Sequence, residues 1–491
     1  MDSLDCNSPR QDALLADWQL VLHRRADEAA ILNDDGRALR TIAQIEEDAV
    51  AFATQFAKLN LIQGNILLFL AANDPAWPGV LLAALRTGVT LMPAEPDFRC
   101  ADDIDWLETM GVAAIAKLDD SQFSLQRTNI LPCQWEGDVP AMLKLTSGTT
   151  GKPRAVRFTS MQLWHDGDRI LHDMALLPGD RNLAAIAFAH SYGLGNLVLP
   201  LLMQGIALVL VPNPLPHTLA HACTSGAATV FAGVPLMFRA LAQSPGIKNL
   251  GSLRLCISAG APLDSEVAKE FEARYKLAIH PFYGSSECGG ISYDSASDCG
   301  TVTGRVGSVM RHNTLTLQPV EGDLAHCQIA GPGVGDAYHP SQPGDEEVLH
   351  GGVFCPADLV EFIDGALHLR GRRDDLINRA GRKIHPAEVE TALLRAGCAK
   401  EAVVFGVKNG SREPLIVAAV VGAILEDQLI RRHCAASLPA WMLPERIWRV
   451  ESIPANSRGK TSRKLLAALW LDTFTNKSTI NISTCKNKVF M

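Results

Sequence analysis

The chain has 491 residues, too many for one hydrophobic core, so length alone predicts two or more domains. Hydrophobic residues make up 47% and charged residues 20%, which excludes a disordered or fibrous polypeptide. Against 53 acidic side chains stand 45 basic ones, a net charge of −8 that argues against nucleic acid as a partner.

The N-terminal stretch "MDSLDCNSPRQDALLADW" carries acids and no apolar run, so no signal peptide is expected. The 12 cysteines are scattered without a CxxC pair, which fits reduced thiols and a cytoplasmic protein better than a zinc or disulfide framework. "NILLFLAAND" followed by "WPGVLLAALRTG" predicts strand, loop, helix. From Asn182 to Phe238 there is no Lys, Arg, Asp or Glu, and a membrane span needs only about 20 apolar residues. Gly193, Gly195, Asn196, Pro200, Gln204 and the prolines at 212, 214 and 216 interrupt it, however, and "LAAIAFA" and "IALVLV" read as buried parallel strands around a helix. No membrane span is expected. "ATVFAGV" with "PLMFRALAQ", and "LRLCISAG" with "LDSEVAKEFEARY", repeat the strand–helix alternation. This predicts an α/β fold in which residues 1–371 form a large domain of mostly parallel sheets with flanking helices. Residues 372–476 read as a small α+β domain: a helix with Pro386 in its first turn, the strands "EAVVFGV" and "PLIVAAVVGA", a helix "EDQLIRRHCAA", and a last helix from about Thr461. Residues 477–491 form a polar tail.

Several segments carry chemistry. "KLTSGTTGKPRAV" combines two glycines, which let backbone N–H groups approach phosphate oxygens, with hydroxyls and cations. Thr146, Ser147, Gly148, Thr149, Thr150, Gly151, Lys152 and Arg154 are therefore candidate phosphate ligands, with an ordinary solvated turn as the alternative. It is not a P-loop of the NTPase kind, because two residues rather than four separate its glycines and Pro153 follows the lysine. Gly459-Lys460-Thr461 has the P-loop ending, but the required upstream glycine is Pro454. His217 and His221 have metalloprotease spacing without the base glutamate, since Thr218 follows the first. No GxSxG elbow occurs, and Cys288 reads as a packing residue.

Taken in order, five segments resemble the adenylate-forming superfamily of acyl- and aryl-CoA synthetases, peptide-synthetase adenylation domains and luciferases. They are "LTSGTTGKPRAV", "FAHSYGLGNLVLPLLMQG", "FYGSSECGG", "GALHLRGRRDDLINRAGRKIHPAEVE" and "IPANSRGKTSRKLL". The resemblance runs from about residue 20 to residue 470. It implies attack of a carboxylate on the α-phosphate of ATP, release of pyrophosphate, and transfer of the acyl group to the thiol of CoA or of a carrier protein's phosphopantetheine. By the same resemblance Lys460 bridges carboxylate and triphosphate, and the small domain that carries it rotates between half-reactions. Glu287 corresponds to the magnesium ligand and Ser286 to the α-phosphate contact. Ala259, Gly260, Ala261, Tyr283 and Gly284 would border the adenine, Asp358 and Arg372 the ribose. Asp374 falls at the hinge, and Gly381 lines the thiol tunnel. His190 stands at the gate of the acyl pocket, walled by Tyr192, Gly233, Val234, Gly289 and Ile291. Two departures stand out. Arg154 replaces the family's loop lysine, and Pro356-Ala357-Asp358 replaces its Thr-Gly-Asp.

Amino-acid-activating members place an aspartate early in the second motif, whereas "FAHSYG" has no acid near. An unpaired ammonium in such a pocket is costly, so a non-amino acid is expected. The expected reaction is therefore an AMP-forming acyl- or aryl-CoA ligation. Loading of a carrier protein is the alternative acceptor, and a non-catalytic nucleotide-binding relative is the alternative of another class.

Overall fold

The computed structural model describes residues 12–146, 152–321, 323–379, 382–395, 398–408, 413–423, 425–454 and 462–475. Their contacts divide into two units: Met1–Pro356 with Val360–Leu369, and Ala357–Leu359 with Arg370–Met491.

The first unit is built on two sheets. In the smaller, the strands Ile66–Ala71, Thr90–Ala94, Val112–Asp119 and Met142–Thr146 run parallel, with antiparallel partners at its edges. All six residues of Ile66–Ala71 are buried. Ile66, Leu68 and Leu70 enter one apolar cluster, and Leu67, Phe69 and Ala71 another, so both faces of the sheet are covered. This is why the strand reads as a continuous apolar run rather than an alternating one. In the larger sheet the order from the centre outward is Ile279–Ser285, Leu255–Ser258, Val230–Gly233, Arg181–Ala184, Ala207–Leu210 and Ala29–Leu32, all parallel to their neighbours. Helices Ala13–Arg25, Ile42–Lys58, Trp77–Thr87, Ser160–Asp173 and Leu199–Gln204 share one apolar cluster with residues of both sheets, so they lie between them. Helices Pro216–Thr224, Pro235–Gln243 and Ser265–Tyr275 cover the far face of the larger sheet. The short helix Ile104–Met110 packs on the far face of the smaller sheet, so the order is helix, sheet, helix, sheet, helix.

The α/β class agrees with the alternation in the sequence, but that alternation stops earlier than expected. Among the described residues from Gly289 to Arg372 no α-helix intervenes, and the strands Gly289–Tyr293, Arg305–Val309, Thr314–Glu321, Leu324–Ala330, Asp358–Ile363 and Ala366–Arg372 extend the larger sheet. The pairings resolved among them are antiparallel. The connections at 310–313, 322–323 and 364–365 are too short for a parallel crossover, which takes a dozen or more residues.

No helix among the described residues is long and apolar enough to cross a membrane. The charge-free run from Asn182 to Phe238 holds the buried parallel strands Ala207–Leu210 and Val230–Gly233 and most of Arg181–Ala184, with the helical segment Ser191–Gln204 between Arg181–Ala184 and Ala207–Leu210. Within that segment Leu194–Val198 forms a π-turn. Gly193 admits no side chain, since a Cβ there would collide with the Ala187 carbonyl.

The second unit has the strands Glu401–Val407, Leu415–Val421 and Arg446–Arg449, with helices Pro386–Arg395 and Asp427–Cys434 in one apolar cluster and Arg463–Thr475 in another. Arg463 at the head of the last helix pairs with Asp375 and Glu390, both at 2.8 Å.

Buried Asp180 ties the start of the parallel strands together. It accepts from Thr229 Oγ1 at 2.7 Å, the Leu177 N–H at 2.7 Å and Arg254 Nε at 2.8 Å. Burial pushes its carboxyl up, but the bonds from Arg254, Leu177 and Thr229 outweigh burial and hold it below its ordinary value. A depressed carboxyl stabilises the fold above its unfolded pKa, and the gain is lost as pH falls through the folded value. Asp180→Asn should therefore cost about 2 kcal/mol at neutral pH, less than a fully buried pair because Arg254 is partly exposed. The deficit should shrink below about pH 4, as measured by denaturant unfolding.

Candidate active site

The phosphate segment leaves the smaller sheet at the end of Met142–Thr146 and returns in Arg154–Phe158, paired Thr146 to Arg154. Thr146 Oγ1 donates to the Arg154 carbonyl at 3.2 Å and fixes the neck of the loop. Ser147 to Gly151 lie outside the described residues. The two loop cations are not equivalent. Lys152 is exposed and meets Asp103 at 2.7 Å. Arg154 Nη1 donates to both carboxylate oxygens of Asp345, at 2.9 and 2.7 Å, and its guanidinium lies 4.7 Å over the Tyr338 ring. A phosphate would have to draw Arg154 from Asp345, whereas Lys152 is held by a solvated pair worth little.

Tyr283, Gly284, Ser286 and Glu287 sit where Ile279–Ser285 turns back into Gly289–Tyr293. Tyr283 is buried, Gly284 is exposed, and Ser286 and Glu287 are half-buried in the turn. The Glu287 N–H donates to Ser285 Oγ at 3.2 Å, and its carbonyl accepts from the Gly335 N–H at 2.8 Å. Its Oε1 accepts from the Tyr338 hydroxyl at 3.0 Å. Burial, followed by the Glu287 carboxylate, pushes the Tyr338 phenol well up, so it remains a donor. Burial also pushes the Cys288 thiol up to about 12, consistent with a packing residue and not a nucleophile.

The donor set fits magnesium in one way. Among the described residues no group of three or more His, Cys, Asp or Glu could cage a metal ion. One carboxylate, with its remaining ligands drawn from phosphate oxygens and water, is how Mg²⁺ is commonly held. Glu287, with one oxygen turned to Tyr338, is such a carboxylate.

At the expected acyl gate, His190 Nε2 lies 2.7 Å from Glu95 Oε1, a residue that follows the strand Thr90–Ala94 of the other sheet. The sequence neighbourhood of His190 contains no acid, so its pairing with Glu95 corrects the picture of an acid-free gate. Asn73, beyond the strand Ile66–Ala71, braces the same loop: its amide donates to the carbonyls of Ala184 and Ile186, and its oxygen accepts from the Phe188 N–H at 2.8 Å. Tyr192 turns inward and donates to the carbonyls of Gly233 at 3.2 Å and Ile257 at 3.1 Å, while its ring packs on Phe282. Val234 is the half-buried residue before the helix Pro235–Gln243, and Ile291 is fully buried in the core between the sheets. Gly289 has φ +67°, and a Cβ there would overlap the Asp166 carboxylate, so its glycine answers a packing demand. Ala259 donates its N–H to the Gly233 carbonyl at 3.2 Å, Gly260 has φ +85°, and Ala261 is half-buried beside it.

In the second unit the Asp358 carboxylate lies 3.6 Å from Arg372 Nε, and Asp374 falls in the 3₁₀ turn Arg373–Asp375. Gly381 and Lys460 lie outside the described residues.

Glu95, Asn73, Tyr338, Asp345 and Asp166 went unnoticed in the sequence. A signal existed for the first two: each is the polar residue that ends an apolar strand, where ligands of an α/β sheet collect. Removing the Tyr192 hydroxyl tests the inward anchor. Tyr192→Phe should lower stability by about 1–2 kcal/mol, since two inward carbonyls lose their donor, with the loss read from the denaturation midpoint.

Two family models match the chain: AMP-binding enzyme over residues 100–327, and AMP-binding enzyme C-terminal domain over residues 388–460. A sulfoacetate–CoA ligase of Cupriavidus necator is 28% identical over 343 residues, covering 67% of each chain. A feruloyl-CoA synthase of an Amycolatopsis species is 25% identical over 483 residues, 91% of this chain and 97% of that one. Among solved structures, ATP-bound MatB of Rhodopseudomonas palustris superposes with a TM-score of 0.83 at 20% identity, over 93% of this chain and 99% of that one.

Proposed function

Since the chain belongs to the adenylate-forming AMP-binding enzymes and is an AMP-forming ligase, we propose that it activates a carboxylic acid lacking an α-amino group and passes it to CoA. The observation that carries the reading is the meeting of two segments. Tyr338 bonds to the Glu287 carboxylate and stacks under Arg154, so the metal candidate and the returning end of the phosphate loop share one side chain.

In this reading a bound magnesium ion neutralises the polyphosphate. The chain's own residues do the rest. Glu287 is held by its backbone and presents its carboxylate to the metal. Lys152 leaves a weak surface pair to meet phosphate oxygens, and Arg154 exchanges Asp345 for the same role. Ser286 donates its hydroxyl to the α-phosphate, while Tyr283, Gly284, Ala259, Gly260 and Ala261 border the adenine. The acid enters past His190, which Glu95 orients. A carboxylate oxygen forms the new bond to the α-phosphorus as the bond to pyrophosphate breaks. The thiol then adds at the acyl carbon and AMP leaves. Lys460 bridges the two anions in the first step, Asp358 and Arg372 hold the ribose, Asp374 is the pivot, and Gly381 leaves the thiol a path.

The similarity to a sulfoacetate–CoA ligase and a feruloyl-CoA synthase supports CoA as acceptor, and supports an acid without an α-amino group, since neither named acid carries one. Pyrophosphate release with Mg²⁺ and ATP, measured across aryl, aliphatic, dicarboxylic and α-amino acids, tests both. Release with one non-amino class and a CoA thioester by mass is expected. Turnover of α-amino acids overturns the substrate class, and acyl-AMP that persists with CoA but discharges onto a carrier protein overturns the acceptor. Lys460→Ala should lower adenylate formation by at least about 100-fold while leaving thioester formation from supplied acyl-adenylate within a few-fold, by single-turnover kinetics.

A further inference from the structure

Three charged side chains are sealed beneath the turn that carries Glu287 and touch none of the reacting groups. Lys144, Asp166 and Arg169 have side-chain exposures of 3%, 1% and 0%. Lys144 Nζ lies 3.8 Å from Asp166 Oδ2, and Arg169 Nε lies 4.0 Å from Asp166 Oδ1. Asp166 and Arg169 project from the helix Ser160–Asp173, Lys144 from the strand that enters the phosphate loop.

Their bonds converge on Gly290, three residues beyond Glu287. Asp166 Oδ1 accepts from the Gly290 N–H at 2.9 Å, and Arg169 Nη1 donates to the Gly290 carbonyl at 2.8 Å. Arg169 Nη1 also donates to Asn313 Oδ1 at 2.5 Å, and Asn313 returns a bond to the same carbonyl at 2.9 Å. Both backbone groups of one residue are thus fixed by side chains of one helix. The preceding residue, Gly289, has φ +67° and leaves no room for a Cβ against Asp166. The same helix reaches the other segment that holds Glu287: Gln162 Nε2 donates to the Val334 carbonyl at 2.8 Å, next to Gly335, whose N–H meets the Glu287 carbonyl.

Replacing buried ions by apolar side chains of similar volume is often neutral or stabilising, so stability alone does not account for this cluster. A charged clamp supplies register instead. We propose that Lys144, Asp166 and Arg169 are positioning residues: they lock Gly290, and through it the turn that aims the Glu287 carboxylate at the metal of Mg·ATP. Lys144 acts on the oxygen of Asp166 that the Gly290 N–H does not use, and so keeps the carboxylate oriented. The inference rests on the reading of Glu287 as the metal ligand.

The test is calorimetric binding of ATP to the full chain without a carboxylic acid, with Mg²⁺ and with EDTA, beside the melting temperature of the free protein. Variants are Asp166→Asn, the milder Lys144→Met, Glu287→Gln, and Asp180→Asn as a destabilised control remote from the turn. Asp166→Asn and Lys144→Met should weaken binding of Mg·ATP by tenfold or more and of metal-free ATP by less than threefold. Asp180→Asn should lower the melting temperature and leave both affinities within twofold. If Asp166→Asn does not fold, Lys144→Met decides alone. Wild-type Mg·ATP affinity in the clamp variants, or an equal loss in Asp180→Asn, overturns the proposal. Glu287→Gln separates the two failures. If it loses the magnesium-dependent affinity and the clamp variants do not, the clamp alone is wrong. If it keeps that affinity, the metal assignment fails and the clamp falls with it.

Discussion

A carboxylate that must receive a cation cannot be fixed by its own oxygens, because they are needed for the ligand. As the proposed metal ligand, Glu287 would meet this constraint by being held from behind: Ser285 takes its N–H, Gly335 caps its carbonyl, and Tyr338 touches a single carboxylate oxygen. The surrounding chain is arranged to make that possible. The turn needs two glycines after Cys288, and the helix Ser160–Asp173 lies close enough to reach both segments that flank it. That helix starts from a capping box between Thr159 and Gln162, so the glutamine that closes the helix start also braces the segment at Val334. Because the helix follows directly on the strand Arg154–Phe158 that leaves the proposed phosphate loop, that strand and the turn of Glu287 share a rigid support.

The proposed acyl side follows a different plan, in which two sheets cooperate. Residues at the carboxyl ends of the smaller sheet, Asn73 and Glu95, reach across to the loop that follows Arg181–Ala184 in the larger one. Neither sheet alone would position His190. Asn73 satisfies two carbonyls and one N–H of a loop whose backbone would otherwise be buried unpaired. Below it the inward Tyr192 hydroxyl spans the ends of two parallel strands, so the floor of the site is tied to the sheet as well as its rim.

How much of this was legible in the sequence depended on the range of the interaction. Strands such as Ile66–Ala71 and Leu255–Ser258 announce themselves, because burial on both faces leaves an uninterrupted apolar run that ends in small or polar residues. The glycine-rich turns were visible as motifs for the same local reason. Contacts made at long separation were not. Arg154 and Asp345 are 191 residues apart, and Asn73 and Phe188 are 115 apart. No pattern in either segment names its partner. The stretch from Gly289 to Arg372 carries strands such as Thr314–Glu321 and Leu324–Ala330 joined by glycine- and proline-rich turns, a local signal for antiparallel pairing that the strand–helix alternation before it masks. Asp166 and Arg169 sat inside an ordinary amphipathic helix, and only their burial sets them apart from solvated charges.

The central claim is that a carboxylate oxygen of the substrate attacks the α-phosphorus. It is tested most directly by supplying an accepted acid labelled with ¹⁸O in its carboxyl group, together with Mg²⁺, ATP and CoA, and reading the products by mass. The account predicts one ¹⁸O atom in AMP, carried over from the acyl-adenylate when the thiol displaces it, and none in pyrophosphate. Label in orthophosphate with ADP as the nucleotide product would instead mean attack at the terminal phosphorus and would contradict the assignment.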